Sequence, residues 1–402
     1  MPVPPTDNPL RDRPTRIVFL VVFVDLIGFG IVMPLLPSYA ARYTANATLI
    51  GLLVAATPAM QLLTAPLWGR LSDRIGRRPV LLMSLAGAFL SYLMFALAGS
   101  FSALLLSRLV AGSCNASVGV GQAFLADRTR PDQRAKAMGL IGAAYGLGFI
   151  VGPALAGISS LFGAAMPGIV ATALTGANLL AAFLVLPASR PARPQNGEGD
   201  TTSIATDSRP AAERFTPLVV AFLATLGFTV LYVLLSLFAE RDLGYDRPKI
   251  SALFVVLGVV TAIVQGGVVG RVAQRVGERG LIVLGAAVLS LGLGTLSGAS
   301  RLAGSAVEAT ALVVLALVVI GIGWGLVGPG VTGYVSRHTP PEYQGRSLGV
   351  LHAVGASARI VGPPMFGLLA SLGSFVPPFC VAAGVAGLAA IVAMGAKSSV
   401  RS

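Results

Sequence analysis

Residues 69–79 read GRLSDRIGRRP and place four arginines and one aspartate between two of the most apolar stretches of the chain. A short charged segment between long apolar runs is typical of a loop that joins two membrane-spanning helices. The composition agrees, since 55% of the 402 residues are hydrophobic and only 11% are charged. A water-soluble protein carries about 25% charged residues. The sequence therefore predicts an integral membrane protein.

Apolar runs long enough to cross a bilayer, which takes about 20 residues each, occur throughout the chain. Their length and their Leu, Ala, Val and Gly content favour helices over the shorter, alternating strands of a membrane barrel. The predicted fold class is all-α, with 12 transmembrane helices. The runs lie at residues 16–38, 48–68, 79–98, 101–125, 136–160, 165–187, 216–238, 250–270, 280–298, 306–334, 346–370 and 374–396.

Lysine and arginine are distributed unevenly over the loops. If the N-terminus is cytoplasmic, the cytoplasmic segments hold 22 of the 29 Lys and Arg residues, as the positive-inside rule requires. We therefore expect a multi-pass protein of the bacterial inner membrane with both termini in the cytoplasm. The net charge of +13 is explained by loops anchored beside anionic headgroups, and no nucleic-acid partner is expected. The first run is too long for a signal peptide and is expected to be retained.

One long polar interval divides the runs six and six. Residues 188–215 are rich in Pro, Ser, Thr and charge, which is typical of a flexible linker. The predicted organisation is a cytoplasmic tail, a six-helix bundle, the linker, a second six-helix bundle and a second tail. These parts cover residues 1–15, 16–187, 188–215, 216–396 and 397–402.

The two halves resemble each other in sequence. TRPDQRAKAMG at 129–139 aligns with TPPEYQGRSLG at 339–349 with an offset of 210, and IVGP recurs at 150–153 and 360–363. GRLSDRIGRR at 69–78 aligns with GRVAQRVGER at 270–279. Two pseudo-symmetric six-helix bundles are the architecture of secondary transporters, with the substrate site between the bundles near the midplane.

Four segments resemble motifs of the major facilitator superfamily. GRLSDRIGRR (69–78) resembles the signature loop of that family, and LSRLVAG (106–112) resembles its fourth-helix motif. GFIVGPALAG (148–157) resembles the fifth-helix antiporter motif, with Ala156 in place of a usual glycine. DLIGFGIVMPLLP (25–37) resembles the first helix of the twelve-helix drug/proton antiporters, especially the tetracycline-efflux branch. This resemblance implies proton-coupled efflux by rocker-switch alternating access.

The charged loop at 69–78 contains a candidate cytoplasmic gate. Glycines allow a tight turn, and a carboxylate among arginines can fasten helix ends together in one access state and release them in another. The alternative is that the arginines serve only as anchors on the inner side. In the second half, Gln274 replaces the aspartate and Glu278 precedes Arg279, so we expect a weaker or differently connected gate. The candidate gate residues of the first half are Gly69, Asp73, Arg74, Gly76, Arg77, Arg78 and Asp127.

Asp25 and Arg108 are charged residues inside spans of the first half. A carboxylate at membrane depth is costly and is a functional candidate by default. In a cavity that alternately fills with water and dries, Asp25 could take up and release a proton, with Arg108 tuning it. The alternative is a static Asp25–Arg108 pair.

Polar residues on spans facing a central cavity are candidates for substrate contacts. In the fourth span, Arg108, Gly112, Asn115, Gly119 and Gln122 recur at helical spacing and predict one cavity-lining face. The alternative for this face is helix packing alone.

In the eleventh span, Arg359 could bind substrate, pair with Asp25 or satisfy carbonyls beside Gly362-Pro363-Pro364. His352 lies on the same face, with a packing role as its alternative. Gln61 completes the set of predicted cavity residues.

Gly-Pro pairs in the fifth and eleventh spans are predicted to break the backbone hydrogen bonding of these helices, and they can kink them. The resemblance implies that the first of these seals a leak path in antiporters, and plain helix packing is the alternative. The residues concerned are Gly148, Gly152, Pro153, Gly157, Gly362 and Pro363.

The spans that carry further carboxylates in tetracycline antiporters, the third and the ninth, carry none here. An amphipathic neutral, zwitterionic or weakly anionic substrate is therefore expected, and tetracycline itself is in doubt. The alternative function is a proton-coupled or uniport carrier of an ordinary metabolite such as a sugar or an organic anion. No nucleophile, metal cluster or phosphate-binding loop is recognisable. We therefore expect a monomer that is not an enzyme, that uses neither ATP nor a cofactor, and that couples transport to protons.

Overall fold

The computed structural model describes residues 13–128, 134–186, 211–302, 305–339 and 344–395. Within these ranges the chain is helical with short connections and contains no β-strand. The predicted all-α fold is therefore confirmed. Of the predicted linker, residues 188–215, only the last five positions are described, and a helix has already begun there at Ala211. The tail at 397–402 and most of the tail at 1–15 lie outside the described residues.

The helices follow one another in chain order through both halves. The first half contains α1 (Arg13–Val32), α2 (Leu36–Ala40), α3 (Ala47–Ile75), α4 (Arg77–Ala96), α5 (Phe101–Ser113), α6 (Ser117–Arg128), α7 (Arg134–Ser160) and α8 (Met166–Val185). The second half contains α9 (Ala211–Phe228), a π-helical segment (Leu231–Leu235), α10 (Ser236–Arg241), α11 (Arg247–Ile263), a second π-helical segment (Val264–Val268), α12 (Val269–Leu302), α13 (Ala306–His338), α14 (Gln344–Ala370) and α15 (Val376–Gly395).

All twelve predicted spans coincide with helices. Ten stretches of the described chain are long and apolar enough to cross a membrane. One of them, Arg247–Ala299, joins two predicted spans, with non-helical backbone at Gly277. The apolar part of α7, Ala144–Ser160, is shorter but belongs to a helix of 27 residues.

The fourth span is interrupted in its middle, which corrects the prediction of one continuous helix. α5 ends at Ser113 and α6 begins at Ser117. Ser84 of α4 compensates the lost backbone hydrogen bonds. Its Oγ donates to the carbonyl oxygen of Cys114 at 2.6 Å and accepts from the amide of Ala116 at 3.0 Å. The interruption is therefore stable within the membrane helix, because the backbone groups that it frees have hydrogen-bond partners.

Both helices continue through their Gly-Pro pairs, and the kinks that these pairs can produce stay a prediction. α7 continues through Pro153, and α14 continues through Pro363 and its neighbour. These sites instead mark close helix contacts. A Cβ placed on Gly362 would lie 1.9 Å from Thr229 Oγ1. The irregular helical geometry of the second half lies elsewhere, in the two π-helical segments.

The sequence repeat is also present in the structure. Gly76 and Gly277 occupy equivalent positions, and both have positive φ, at 95° and 69°. Arg78 donates to the carbonyl of Phe183 near the end of α8 at 2.8 Å. Its counterpart Arg279 donates to the carbonyl of Ala393 near the end of α15 at 3.1 Å. Each half thus ties its third span to its sixth in the same way.

The two halves pack tightly at one end of the molecule, which we call the closed end. It holds loops 41–46 and 242–246. A Cβ on Gly51 would lie 2.3 Å from the carbonyl oxygen of Pro363 across the interface, and one on Gly367 would lie 2.2 Å from the carbonyl oxygen of Ala47. Ser236 Oγ donates across the same interface to the carbonyl of Pro34 at 2.6 Å.

The halves separate toward the opposite end, which carries the charged loop and which we call the charged-loop end. α3 is mostly buried from Ala47 to Thr57 but half-exposed or exposed from 58 to 71. In the second half, the π-helical segment exposes Gln265. These residues of α3 and of the π-helical segment are therefore not covered by the opposite half at this end. If this end is cytoplasmic, as the sequence predicts, the arrangement is inward-facing.

Candidate functional site

Asp25 lies near the middle of α1, about 18 Å along the helix from Arg13, and its side chain is half-buried. Its Oδ2 accepts a hydrogen bond from Ser117 Oγ. Among the described residues, its Oδ1 has no donor, and no basic nitrogen lies within 4.0 Å of the carboxylate. Asp25 is therefore a mid-membrane acid without a counter-charge in this part of the chain.

Ser117 was not predicted as a partner of Asp25. It is the first residue of α6, so the interruption of the fourth span brings its hydroxyl to the carboxylate. The polar run SCNAS at 113–117, inside an otherwise apolar span, was the available signal. Because an unbroken helix was expected there, the contact between Ser117 and Asp25 was not predicted.

Arg108 lies in α5 and is only 4% exposed. Its guanidinium donates to Ser107 Oγ at 3.2 Å and to Ser91 Oγ at 3.4 Å. The same group lies 5.1 Å from the ring centroid of Phe95. The structure therefore holds no Asp25–Arg108 ion pair. A part for Arg108 in proton coupling stays a prediction.

The predicted polar stripe of the fourth span does not form one continuous face, because the helix is interrupted within it. Gly112 packs against α3, where a Cβ would lie 2.3 Å from the carbonyl oxygen of Thr57. Asn115 lies in the interruption, and Gln122 is half-buried on α6. Gly119 is exposed. The predicted stripe is thus divided into two parts. Gly112 packs against α3, whereas Gly119 is exposed.

Arg359 lies in the middle of α14 and is half-buried. Its guanidinium makes no hydrogen bond or ion pair with any described residue. Tyr145, from the first half, and Tyr232, from the second half, lie within the electrostatic reach of its charge. His352 lies two turns earlier on α14 and is exposed. It also lies within the electrostatic reach of Arg359. Gln61 of α3 is half-buried.

Tyr145 and Tyr232 were also missed by the sequence analysis. Each lies in an apolar span, where a tyrosine is commonly a packing residue. Their position relative to the charged groups depends on how the two halves pack together. The periodicity of a single span does not predict that packing.

The charged loop forms a network within the first half. Asp73 Oδ1 accepts from Arg77 Nη1 at 2.7 Å, and Arg77 also donates to Ser72 Oγ at 2.9 Å. Together with the Arg78–Phe183 hydrogen bond, these contacts fasten α3, α4 and α8 to one another. None of these contacts crosses to the other half, as expected at an open end.

Other predicted gate residues have different positions. Gly76 makes the turn between α3 and α4, whereas Gly69 lies inside α3, so its predicted part in the turn is corrected. Arg74 is exposed. The side chain of Asp127 lies outside the described residues, and its pairing stays a prediction.

The second half uses a different ion pair. Glu278 Oε1 lies 2.9 Å from Arg337 Nε, and Gln274 is exposed. Under the repeat, Glu278 corresponds to Arg77 and Arg337 corresponds to Asp127. The same two positions therefore carry opposite charges in both halves, with the signs exchanged.

The glycines of the antiporter-like motif bring helix backbones together. A Cβ on Gly152 would lie 2.5 Å from the Cα of Gly30 in α1, and Gly148 faces the same helix. Gly157 faces the other half, where a Cβ would lie 3.1 Å from Ser251 Cβ. The motif therefore packs α7 against α1 and α11. Its sealing role stays a prediction.

Comparison with known proteins identifies the family. The profile of the Major Facilitator Superfamily matches residues 18–363. The chain is 31% identical to the class E tetracycline resistance protein of Escherichia coli, over 90% of this chain and 88% of that protein. It is 26% identical to multidrug resistance protein 2 of Bacillus subtilis, over 92% of each chain.

A solved structure shares the whole architecture. The crystal structure of the human organic anion transporter MFSD10 (TETRAN) superimposes with a TM-score of 0.71 at 25% identity, covering 95% of this chain and 99% of that chain. The repeat, the helices and the motifs therefore agree with the family match. The chain belongs to the major facilitator superfamily and is a multi-pass membrane transporter rather than an enzyme.

Proposed function

We propose that this transporter exports a small amphipathic compound, a drug or an antibiotic, in exchange for protons. The observation that carries the proposal is Asp25. It is the acidic residue in the middle of a described span, it has no counter-charge there, and one of its oxygens is open to a ligand. Such a group can hold a proton in one access state and release it in another.

Similarity to efflux proteins supports export as the direction of transport and a drug or antibiotic as the substrate class. The relatives named for tetracycline and multidrug resistance match about nine-tenths of this chain. The separation of the halves at the charged-loop end supports uptake from the cytoplasm, given the predicted orientation. The two halves would then rock about the closed end, and the coupling ion would be the proton, with neither ATP nor a cofactor.

A second candidate is the carriage of an organic anion. It is favoured by Arg359, which has no acidic partner among the described residues, and by the relative that is named an organic anion transporter. Asp25 separates proton-coupled transport from uniport, because only proton-coupled transport needs the carboxylate to change its charge during the cycle.

The test is proton release from purified protein reconstituted in liposomes, across a panel of amphipathic drugs that includes tetracycline. We expect at least one compound to cause a pH change with the wild type and none with Asp25→Asn. Glu240→Gln, which removes an exposed carboxylate at the closed end, is the matched control and should behave as the wild type. If Asp25→Asn couples normally, or if the wild type moves compounds without protons, the exchange mechanism is wrong.

A further inference from the structure

The interruption of the fourth span consists of Cys114, Asn115 and Ala116, between the end of α5 and the start of α6. Sharp breaks in helices are commonly caused by proline, by Gly-Ser pairs or by a side chain inserted into the backbone hydrogen bonds. None of the three residues is proline or glycine, and the Gly112-Ser113 pair before them is still helical. The cause of the interruption therefore lies in a side chain from another helix.

Ser84 of α4 is that side chain. In a continuous helix the amide of Ala116 would donate to the carbonyl four residues earlier, and the carbonyl of Cys114 would accept from the amide four residues later. The single hydroxyl of Ser84 takes both places, since it accepts from the amide of Ala116 at 3.0 Å and donates to the carbonyl of Cys114 at 2.6 Å. Ser84 is only 2% exposed. Its hydroxyl thus stabilises the interrupted form of the span over the continuous one.

Two further contacts hold the same segment from α3 and α4. Trp68 Nε1 of α3 donates to the carbonyl of Ser113, the last residue of α5, at 2.6 Å. A Cβ on Gly87 of α4 would lie 2.2 Å from the Cβ of Cys114, so Cys114 approaches α4 this closely because residue 87 has no side chain. Gly87 follows Ser84 by three residues and lies on the same face of α4. Neighbouring helices therefore fix the interruption.

The interruption sets where α6 begins, and α6 carries the partner of Asp25. Ser117 is the first residue of α6 and donates to Asp25 Oδ2. One turn later, a Cβ on Gly121 would lie 2.8 Å from Cγ2 of Val22 on α1, so this face of α6 lies directly against α1. A helix turns by about 100° per residue. A change in the backbone just before α6 would therefore turn the Ser117 side chain away from the carboxylate.

We propose that Ser84 is a positioning residue for Asp25, because its hydroxyl holds the interruption in the form that directs Ser117 at the carboxylate. The assignment rests on the proposed function, since it concerns the acid that would exchange the proton. It adds a residue of the third span to that site. Ser84 acts on the acid only through the backbone of the fourth span and the hydroxyl of Ser117.

The experiment records infrared difference spectra between acidic and alkaline pH on the full-length protein in lipid nanodiscs, with no substrate present. The C=O stretch of a protonated carboxyl is separate from the backbone bands, and Asp25→Asn identifies the band of Asp25 by its loss. A second band reports the interruption. The chain has two cysteines, so cysteine labelled with carbon-13 at its carbonyl, in a Cys380→Ala background, marks the carbonyl of Cys114 alone.

The two bands separate the roles of the two serines. Ser117→Ala should move the Asp25 band to higher wavenumber, because the carboxyl loses a hydrogen bond, and should leave the Cys114 band unchanged. Ser84→Ala should shift the Cys114 band and should also move the Asp25 band by the same amount as Ser117→Ala. The double variant should move the Asp25 band no further, since residues that act through one contact are not additive.

Two more variants complete the set. Ser113→Ala is the matched control, because the hydroxyl of Ser113 donates within its own helix to the carbonyl of Leu109 at 2.8 Å, and both bands should stay in place. Ser84→Cys has a side chain of similar size with a weaker donor and acceptor. It should move both bands in the same direction as Ser84→Ala by a smaller amount, and it carries the test if Ser84→Ala does not fold.

The outcomes distinguish this assignment from the proposed exchange. An Asp25 band at its wild-type position in folded Ser84→Ala and Ser84→Cys would overturn the positioning role alone, and so would additive shifts in the double variant. Normal proton release by Asp25→Asn in liposomes would overturn proton exchange alone, because the spectra are recorded without transport. A wild type in which Asp25 takes up no proton would overturn both.

Discussion

At the scale of single residues, one hydroxyl positions the carboxylate of Asp25. Ser117 donates to Asp25, and no other described side chain does so. Hydrogen bonds to a charged group fix its orientation and are worth about 1.5–3 kcal/mol. In the proposed exchange, Asp25 takes up and releases the proton, so its orientation would bear directly on coupling.

Replacement of Ser117 tests this contact. We expect Ser117→Ala to lower the rate of proton-coupled transport by about 10- to 150-fold, because a contact of about 1.5–3 kcal/mol is lost. Ser117→Thr, which keeps the hydroxyl, should retain most of the rate. The measurement is substrate-driven proton release in liposomes. Ser159→Ala removes a hydroxyl that bonds only to its own helix and serves as control. A full rate in Ser117→Ala would show that the hydrogen bond is dispensable.

At the scale of helices, the number and order of the spans followed from the sequence because a bilayer demands about 20 apolar residues for each crossing. The interruption in the fourth span did not follow. Its freed backbone groups are satisfied by Ser84 of α4 and by Trp68 of α3, whose Nε1 donates to the carbonyl of Ser113 at 2.6 Å. Partners so far away in sequence leave no periodic signal.

The contacts made at the Gly-Pro pairs also did not follow from the sequence. A proline inside a helix removes one backbone hydrogen bond and can kink the helix, and both helices continue through their Gly-Pro pairs. The adjacent glycines are sites of close contact, such as Gly152 against Gly30. Likewise, the electrostatic neighbours of Arg359 come from two halves that only the three-dimensional structure brings together. Candidate residues could thus be predicted, but their partners could not.

The charged loop allows a test of its glycines within one motif. Gly76 has φ 95° and ψ 163°, and Gly277 has φ 69° and ψ 176°, a region open essentially to glycine alone. Gly76→Ala and Gly277→Ala should each lower the free energy of unfolding by about 1–3 kcal/mol. Gly69→Ala should be neutral or slightly stabilising, since Gly69 is helical with open space around it.

Thermal unfolding of the detergent-purified variants measures these differences. The comparison is internal, because Gly69 and Gly76 lie in the same loop motif and receive the same substitution. Equal unfolding temperatures for Gly69→Ala and Gly76→Ala would mean that the turn does not require glycine at position 76.

At the scale of the whole molecule, the closed end is held by an aromatic ring between two arginines. Arg42 of the first half and Arg247 of the second half each lie 5.1 Å from the ring centroid of Tyr39. Tyr39 also contacts the ring of Phe95, on which the guanidinium of Arg108 lies. The closed end is therefore joined by a continuous series of contacts to an arginine buried deep in the first half.

Only one of the two arginines crosses the interface, so they form a matched pair for testing what holds this end shut. Arg247→Ala removes a cation–π contact between the halves, worth about 1–2 kcal/mol, and should shift the equilibrium toward opening by about 5- to 30-fold. Arg42→Ala removes a contact within one half and should not shift it. Distances between spin labels on Ala45 and Asp242, measured by double electron–electron resonance in nanodiscs, report the two populations. If both variants open equally, the ring stabilises its own loop rather than the interface, and the closed state must depend on the glycine contacts of Gly51 and Gly367 instead.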